Sequence, residues 1–152
     1  MDGIEKTSKL SSNVRQTEAS AALIGHNLRG GEVIVLKGDL GSGKTAFVRG
    51  LTKGAGSSDF VSSPSFVIRN DYKSKKFIIA HFDFYRVDEP GILADSLQEV
   101  LNSKEYVSIV EWGDIVADIF PQDKMLIDFV TLSENKRQLN LTYPKSWIYL
   151  LD

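Results

Sequence analysis

The chain has 152 residues, of which 42% are hydrophobic and 25% are charged, and its formal net charge is −2. These values are typical of one ordinary globular domain, and they argue against a strongly basic surface that binds nucleic acid without sequence preference. The chain has no cysteine, which excludes disulfides, a thiolate nucleophile and cysteine-ligated zinc.

No stretch of the sequence approaches the roughly 20 consecutive apolar residues that a membrane-spanning helix needs. The first ten residues mix charged and small side chains and lack the apolar segment of a signal peptide. They predict a flexible tail over residues 1–10, followed by a single domain over residues 11–152. We therefore expect a cytoplasmic protein that does not contact a membrane.

The predicted elements begin with a helix and a buried strand. Ser11 or Ser12 is expected to cap a helix that ends near Leu28, ahead of the pair Gly30-Gly31. Residues 32–37 contain an uninterrupted apolar run and predict a strand that is buried on both faces.

The segment Gly38-Asp-Leu-Gly-Ser-Gly-Lys-Thr45 matches the P-loop pattern G-x-x-x-x-G-K-[ST], and a helix predicted to end near Lys53 follows it. Its glycines allow successive N–H groups to point at phosphate oxygens, and the helix adds its positive dipole end. Lys44 can reach the β- and γ-phosphates, and the Thr45 hydroxyl can join the ligands of Mg²⁺. A glycine-rich turn without a ligand is the alternative, but the strand–loop–helix context favours a nucleotide as the ligand. The predicted nucleotide-binding residues here are Gly38, Asp39, Leu40, Gly41, Ser42, Gly43, Lys44, Thr45 and Ala46.

The rest of the chain predicts two antiparallel hairpins separated by a helix and a further buried strand. These patterns indicate an α/β fold: a P-loop NTPase-like mixed sheet with a parallel core, antiparallel hairpins and helices on both faces. The final apolar residues, 147–151, have no predicted position. The predicted elements are strands at 66–72, 77–82, 106–110, 125–130 and 137–143, a helix after Asp88 and a single helical turn at 115–120.

Two carboxylates follow apolar strands. Asp83 comes after the strand at 77–82, and Glu111 comes after the strand at 106–110. The carboxyl ends of strands in such a sheet meet at one crevice, where P-loop ATPases use a carboxylate to hold Mg²⁺ or its water. The residues alone leave open which of the two touches the metal, and capping a helix or pairing with a lysine is the alternative for each.

Five further residues could take accessory roles. Ser63 and Ser65 lie where a switch loop would follow the P-loop helix, although they could equally be incidental surface serines. His81 is expected on the same strand face as the first carboxylate, but a lone histidine in an apolar strand is more often a core residue than a catalyst. Arg86 could neutralise phosphate charge or pair with a carboxylate, and Trp112 could report on a bound nucleotide.

The sequence resembles the TsaE (YjeE) family of small bacterial ATPases over roughly residues 12–142. Besides the P-loop, the markers of this resemblance are Ser63-Pro-Ser-Phe66, His81-Phe-Asp-Phe-Tyr-Arg86 and Val110-Glu-Trp112, in the family's order and spacing. The resemblance implies an Mg²⁺-dependent ATPase that is needed to form N6-threonylcarbamoyladenosine in tRNA. It implies that the protein acts with the TsaD–TsaB pair and resets that complex between turnovers, without performing the transfer itself. Contact with tRNA would then be indirect at most.

The same resemblance implies roles for individual residues. Thr45 and Glu111 would bind Mg²⁺, and Asp83 would be the catalytic carboxylate that orients water or a metal-bound water. Arg137, on the late hairpin, matches a family arginine near the nucleotide.

Two positions depart from the family pattern. Ser42 stands where the family usually has alanine, which is a small and conservative change. Ser65 stands where the family usually has threonine, and it keeps the hydroxyl group that the switch role needs.

Two other functions compete with the ATPase. A small P-loop kinase of a nucleoside or metabolite would usually have a lid segment and several arginines, and the sequence shows neither a lid-like insertion nor an arginine cluster. A module that binds nucleotide without hydrolysing it is the third possibility. The presence of Lys44, Thr45, Asp83 and Glu111 argues against it.

Overall fold

A computed structural model describes residues 3–64, 68–101 and 103–152 of the chain. The described residues form one seven-stranded sheet and three α-helices, together with 3₁₀ segments at Gly113–Ile119 and Lys145–Leu151. The strands and helices are β1 (Ile4–Ser11), α1 (Val14–Asn27), β2 (Val33–Lys37), α2 (Lys44–Gly54), β3 (Arg69–Lys73), β4 (Ile78–Asp83), α3 (Gly91–Leu101), β5 (Tyr106–Glu111), β6 (Met125–Thr131) and β7 (Arg137–Pro144).

The strand order across the sheet is β1-β7-β6-β2-β5-β4-β3. The central strands β6, β2, β5 and β4 are parallel to one another. β3 adds to one side as an antiparallel hairpin partner of β4, and β7 and β1 add to the other side. The predicted mixed sheet with a parallel core and two hairpins is therefore confirmed.

Helices cover both faces of the sheet, as predicted. One hydrophobic cluster joins α1, α2 and the last 3₁₀ segment to the face that contains Ile34, Ile79 and Ile109. A second cluster joins α3 and the first 3₁₀ segment to the face that contains Val35 and Val110. Among the described helices, none is both long and apolar enough to cross a membrane.

The expected N-terminal tail is wrong from Ile4 onward. Residues Ile4–Ser11 form the edge strand β1, which pairs along its whole length with β7. Ser11 belongs to this strand and Ser12 precedes the cap position, so neither of the predicted serines caps α1. Asn13 takes that place, and its side-chain oxygen accepts a hydrogen bond from the backbone N–H of Gln16 at 2.9 Å.

The sequence predicted no position for the C-terminal residues. They pack against the end of α1 and the residue that precedes β2. The amide group of Asn27 at the end of α1 donates to the carbonyl of Leu150 at 3.3 Å. The Tyr149 hydroxyl donates to the buried carboxylate of Glu32 at 2.8 Å. Burial raises the pKa of the Tyr149 hydroxyl, so it stays protonated and serves as the donor to Glu32. These bonds fasten the C-terminal segment to the fold.

Helices α1 and α2 touch through their backbones, and glycines make this possible. A Cβ atom added at Gly50 would overlap the carbonyl oxygen of Glu18, and one added at Gly25 would overlap the carbonyl of Leu51. The contact holds the helix that follows the P-loop at a fixed distance from α1.

We expect Gly50→Ala to destabilise the protein by about 1–3 kcal/mol, because the added methyl group must push two packed helices apart. Chemical denaturation measures this loss. Gly3→Ala is the control, since a Cβ atom there meets nothing within 4 Å. Equal stability of the two variants would contradict the close helix contact.

Candidate functional site

The P-loop joins the end of β2 to the start of α2. Gly38, Gly41 and Gly43 have positive φ angles of 149°, 78° and 104°, a region that other residues rarely adopt. Gly43 is the N-terminal cap of α2 and makes no side-chain capping bond. The first N–H groups of the helix therefore remain available to an anion.

Lys44 lies folded over the loop. Its ammonium group donates to the carbonyl of Gly38 at 2.5 Å and lies 4.4 Å from the ring centre of Trp112. The side chain is largely buried. Burial lowers the pKa of the Lys44 ammonium group, while the carboxylates of Glu111 and Asp83 act in the opposite direction. A cationic donor is thus held between the loop and these two carboxylates.

The two predicted carboxylates lie side by side. Asp83 and Glu111 are paired in register at the ends of the parallel strands β4 and β5, and each residue is only 3% exposed. The backbone N–H of Tyr85 donates to Asp83 Oδ1 at 2.9 Å. His81 Nε2 and Glu111 Oε2 are 2.5 Å apart. As expected, the ends of β4 and β5 converge at the P-loop.

His81 is both a core residue and a residue of the site, the two roles considered for it from the sequence. It is fully buried in the sheet, as a core histidine would be, and it is also bonded to a carboxylate of the site. Trp112, directly after that carboxylate, has a left-handed backbone with φ of 55°. Its ring lies 4.8 Å from the ring of Tyr85 and beneath the lysine of the P-loop.

A cavity of about 240 Å³ opens between the P-loop and the carboxylates. Thr45, Asp83 and Glu111 line it, and these residues carry side-chain oxygen atoms, the ligands that Mg²⁺ prefers. Within the described part of the chain, no group of three or more His, Cys, Asp and Glu side chains could hold a metal by itself. A hard cation here would complete its coordination with phosphate and water, which is how Mg²⁺ usually binds. The cavity is lined by Leu40, Gly41, Gly43, Lys44, Thr45, Ala46, Ser63, Asp83, Glu111 and Trp112.

A larger cavity, of about 530 Å³, lies on the other side of the same loop. It shares Gly41, Gly43 and Ala46 with the smaller one. Its other walls come from the start of α1 and from the turn between β6 and β7. The sequence did not predict the α1 residues as part of the site, because they precede the P-loop by about two dozen positions. The remaining lining residues are Asn13, Val14, Arg15, Thr17, Glu134, Asn135 and Arg137.

Arg137 lies at this larger cavity and braces the P-loop. Its guanidinium group donates to the carbonyl of Ser42 at 3.1 Å and to that of Gly41 at 3.2 Å. Three further donations go to carbonyls of the β6–β7 turn. The residue lies beside the loop, and its bonds go to the loop's backbone.

The other predicted site residues differ in their exposure and in whether they line a cavity. Ser42 is buried, and its hydroxyl has no hydrogen-bond partner among the described residues, so replacing it with alanine would lose no hydrogen bond. Ser63 lines the smaller cavity, while Arg86 is exposed in the turn after β4. Asp39 and Leu40 are exposed at the loop tip. The predicted switch residue Ser65 lies outside the described residues.

Comparison with known proteins gives consistent matches. The family model described as "Threonylcarbamoyl adenosine biosynthesis protein TsaE" matches residues 11–139. The tRNA threonylcarbamoyladenosine biosynthesis protein TsaE of Bacillus subtilis (strain 168) is 31% identical over 135 residues, covering 86% of this chain and 81% of the relative. The protein of the same name from Rickettsia felis is 30% identical over 142 residues, covering 92% and 82% of the two chains.

The fold has a match among solved structures. The crystal structure of Bacillus subtilis YdiB superposes with a TM-score of 0.79 and covers 99% of this chain and 94% of that one, at 24% sequence identity. At this identity, the likeness supports the same arrangement of strands and helices.

Proposed function

The chain belongs to the TsaE family of threonylcarbamoyl adenosine biosynthesis proteins, and we propose that within this family it is an Mg²⁺-dependent subunit that binds ATP and hydrolyses it slowly. The observation that carries the proposal is the smaller cavity, in which Lys44 and the start of α2 face Asp83 and Glu111. A cradle for phosphate and a pair of carboxylates on opposite sides of one cavity are the parts that ATP hydrolysis requires.

In the proposed complex, the phosphates bind to the N–H groups of the P-loop. Lys44 exchanges its bond to the Gly38 carbonyl for bonds to the β- and γ-phosphate oxygens. This exchange is favourable because a charge-assisted bond to phosphate is stronger than one to a neutral carbonyl. The ammonium group then also leaves the ring of Trp112, which makes this tryptophan a reporter of binding.

The cation and the water would be held by different groups of the chain. The Thr45 hydroxyl and the Glu111 carboxylate would hold Mg²⁺, which when bound neutralises charge on the β- and γ-phosphates. Asp83 would accept a hydrogen bond from the attacking water and orient it. The backbone N–H of Tyr85 supports this role, because it fixes one oxygen of the Asp83 carboxylate.

The nucleoside would occupy the larger cavity. The two cavities lie on either side of the loop, so a triphosphate that follows the P-loop has its γ-phosphate near the carboxylates and its sugar and base at α1. The volume of about 530 Å³ is in the range of ordinary small-ligand pockets. Arg137 would stabilise this arrangement by holding the loop backbone between the two cavities.

The proposed partner is the TsaD–TsaB complex, and the proposed task is to reset it between turnovers with the energy of ATP. The membership of the family and the names of the relatives support a place in threonylcarbamoyladenosine formation. Ser63 would sense the γ-phosphate as part of a switch loop. Any contact with tRNA would run through the complex, and the site of action would be the cytoplasm.

The binding step can be tested with the tryptophan of the site. The chain has two tryptophans, so Trp147→Phe leaves Trp112 as the single indole. Titrating this variant with ADP and Mg²⁺ should give a saturable change in fluorescence, because Lys44 leaves the indole ring.

Two controls make this titration specific. Adding Trp112→Phe should remove the signal, and adenosine without phosphate should produce little change, since it does not draw the lysine away. If ADP binds by calorimetry without changing the fluorescence, the indole lies apart from the bound nucleotide and Lys44 does not move as proposed. If calorimetry detects no ADP binding, the proposed function is wrong.

A further inference from the structure

A chain of polar contacts connects Glu111 with the loop of residues 61–64. His81 Nε2 is 2.5 Å from Glu111 Oε2. On the other side of the same ring, His81 Nδ1 lies 3.4 Å from the hydroxyl oxygen of Tyr72. The Tyr72 hydroxyl in turn donates to the carbonyl of Ser62 at 3.0 Å. The contacts therefore run from a carboxylate of the site to the backbone of a loop that lines the same cavity through Ser63.

The two linking side chains are held rigidly. His81 is fully buried and Tyr72 is 3% exposed, and they project from the neighbouring strands β4 and β3. Their ring centres are 6.0 Å apart. Burial raises the pKa of the Tyr72 hydroxyl, so it stays protonated and can donate to the carbonyl, which can only accept. Buried polar groups of this kind have few alternative partners, so their geometry is well defined.

The loop end of this connection rests on β3 through a second residue. Asn70 lies directly across from His81 in the hairpin, and its amide group donates to the carbonyl of Ser62 at 3.3 Å. The same amide group lies 3.4 Å from the Ser62 hydroxyl. The position of Ser62, and with it that of the adjacent Ser63, is therefore set by the strand that carries Tyr72.

We propose that Tyr72 and His81 are positioning residues that couple the loop of residues 61–64 to Glu111, so that the loop and the metal-binding carboxylate are ordered together. The inference rests on the proposed function, because it takes Glu111 to be a ligand of Mg²⁺. The hydrogen bond to His81 orients the Glu111 carboxylate, and outer partners of this kind raise the affinity of a metal site. The bond from Tyr72 to Ser62 carries this order to the loop next to the γ-phosphate.

The histidine end of the link is tested by comparing His81→Leu with His81→Gln. We expect His81→Leu to raise the Mg²⁺ concentration needed to tighten ADP binding by roughly tenfold to 100-fold, as the loss of an outer metal partner does. ADP affinity without Mg²⁺ should remain that of the original chain. His81→Gln should recover part of the loss, because its amide can donate to the same carboxylate. An unchanged Mg²⁺ requirement in His81→Leu would overturn the proposal.

The tyrosine end is tested with Tyr72→Phe, which removes only the hydroxyl. In the unmodified protein, Mg²⁺ with a non-hydrolysable ATP analogue should slow amide hydrogen exchange in residues 61–63. In Tyr72→Phe this protection should be largely lost, while the analogue without Mg²⁺ binds as before. Tyr143→Phe is the matched control, because Tyr143 is also buried but lies on β7. It should keep the full protection. Equal protection in Tyr72→Phe would show that the loop is ordered without the link and would overturn the proposal.

Measurements on the unmodified protein distinguish a failure of this inference from a failure of the proposed function. If it binds ADP but Mg²⁺ changes neither the ADP affinity nor, with the ATP analogue, the exchange in the loop, the coupling is wrong while nucleotide binding stands. If it binds no ADP at all, the proposed function fails first.

Discussion

Lys44→Ala is expected to reduce ATP hydrolysis roughly 100-fold or more, the scale of effect seen when a preorganised donor to the transition state is removed. In the proposed complex, Lys44 provides the positive charge at the β- and γ-phosphates, and alanine leaves only the backbone N–H groups to bind them. The fold should be retained, because burial already disfavours the charged ammonium group and its loss does not disturb the apolar clusters.

Phosphate release and ADP calorimetry measure this effect, and circular dichroism verifies the fold. Lys53→Ala is the matched control, because Lys53 lies on the same helix but is exposed at its C-terminal end. It should behave as the original chain does. Unchanged ATP affinity and turnover in Lys44→Ala would refute the assignment of the P-loop.

Glu111→Gln should weaken ADP binding in the presence of Mg²⁺ by at least about tenfold, which is the scale seen when even an outer partner of a metal site is lost. Binding without Mg²⁺ should change far less, because glutamine has nearly the same shape and its amide oxygen can still accept from His81. The change thus removes the charge that the cation needs and preserves the packing.

Calorimetry with Mg²⁺ and with a chelator gives the two affinities. Glu99→Gln serves as the control, since Glu99 is exposed on α3. Equal losses with and without Mg²⁺ in Glu111→Gln would contradict its role as a metal ligand. Asp83→Asn, measured in the same way, would then show whether the cation binds at the other carboxylate.

The features that the sequence predicted best are those with a strong local pattern. The P-loop combines spacing, glycines and flanking elements within about twenty residues, so its strand–loop–helix geometry could be read directly. The neighbouring positions of Asp83 and Glu111 were predicted because each follows an apolar strand, and parallel strand ends meet at one edge of a sheet. The two hairpins were found from polar turns between apolar runs.

The strand β1 was missed because it lacks the pattern that identifies strands. Its side chains are mostly exposed, so the alternation of apolar and polar residues that marks a half-buried strand is weak. What holds it is backbone pairing with β7, whose residues lie 126 to 140 positions away in sequence. A local sequence pattern cannot reveal a partner strand that lies so far away in the chain.

The supporting contacts of the site were missed for a related reason. The bonds from Arg137 to the P-loop join residues 95 and 96 positions apart, and the Tyr72–His81–Glu111 contacts join three strands. The family resemblance placed Arg137 near the nucleotide, but its bonds to backbone carbonyls leave no mark in the sequence. Nothing in the sequence distinguishes Tyr72 from an ordinary strand residue, because aromatic side chains are common in strands.

The central claim, that this chain is an Mg²⁺-dependent ATPase, is tested most directly by phosphate release from ATP. The purified chain is measured with Mg²⁺ and with a chelator, alone and then with TsaD–TsaB. We predict slow release that requires Mg²⁺, disappears in Lys44→Ala and changes when the complex is added. No release of phosphate under any of these conditions would contradict the account.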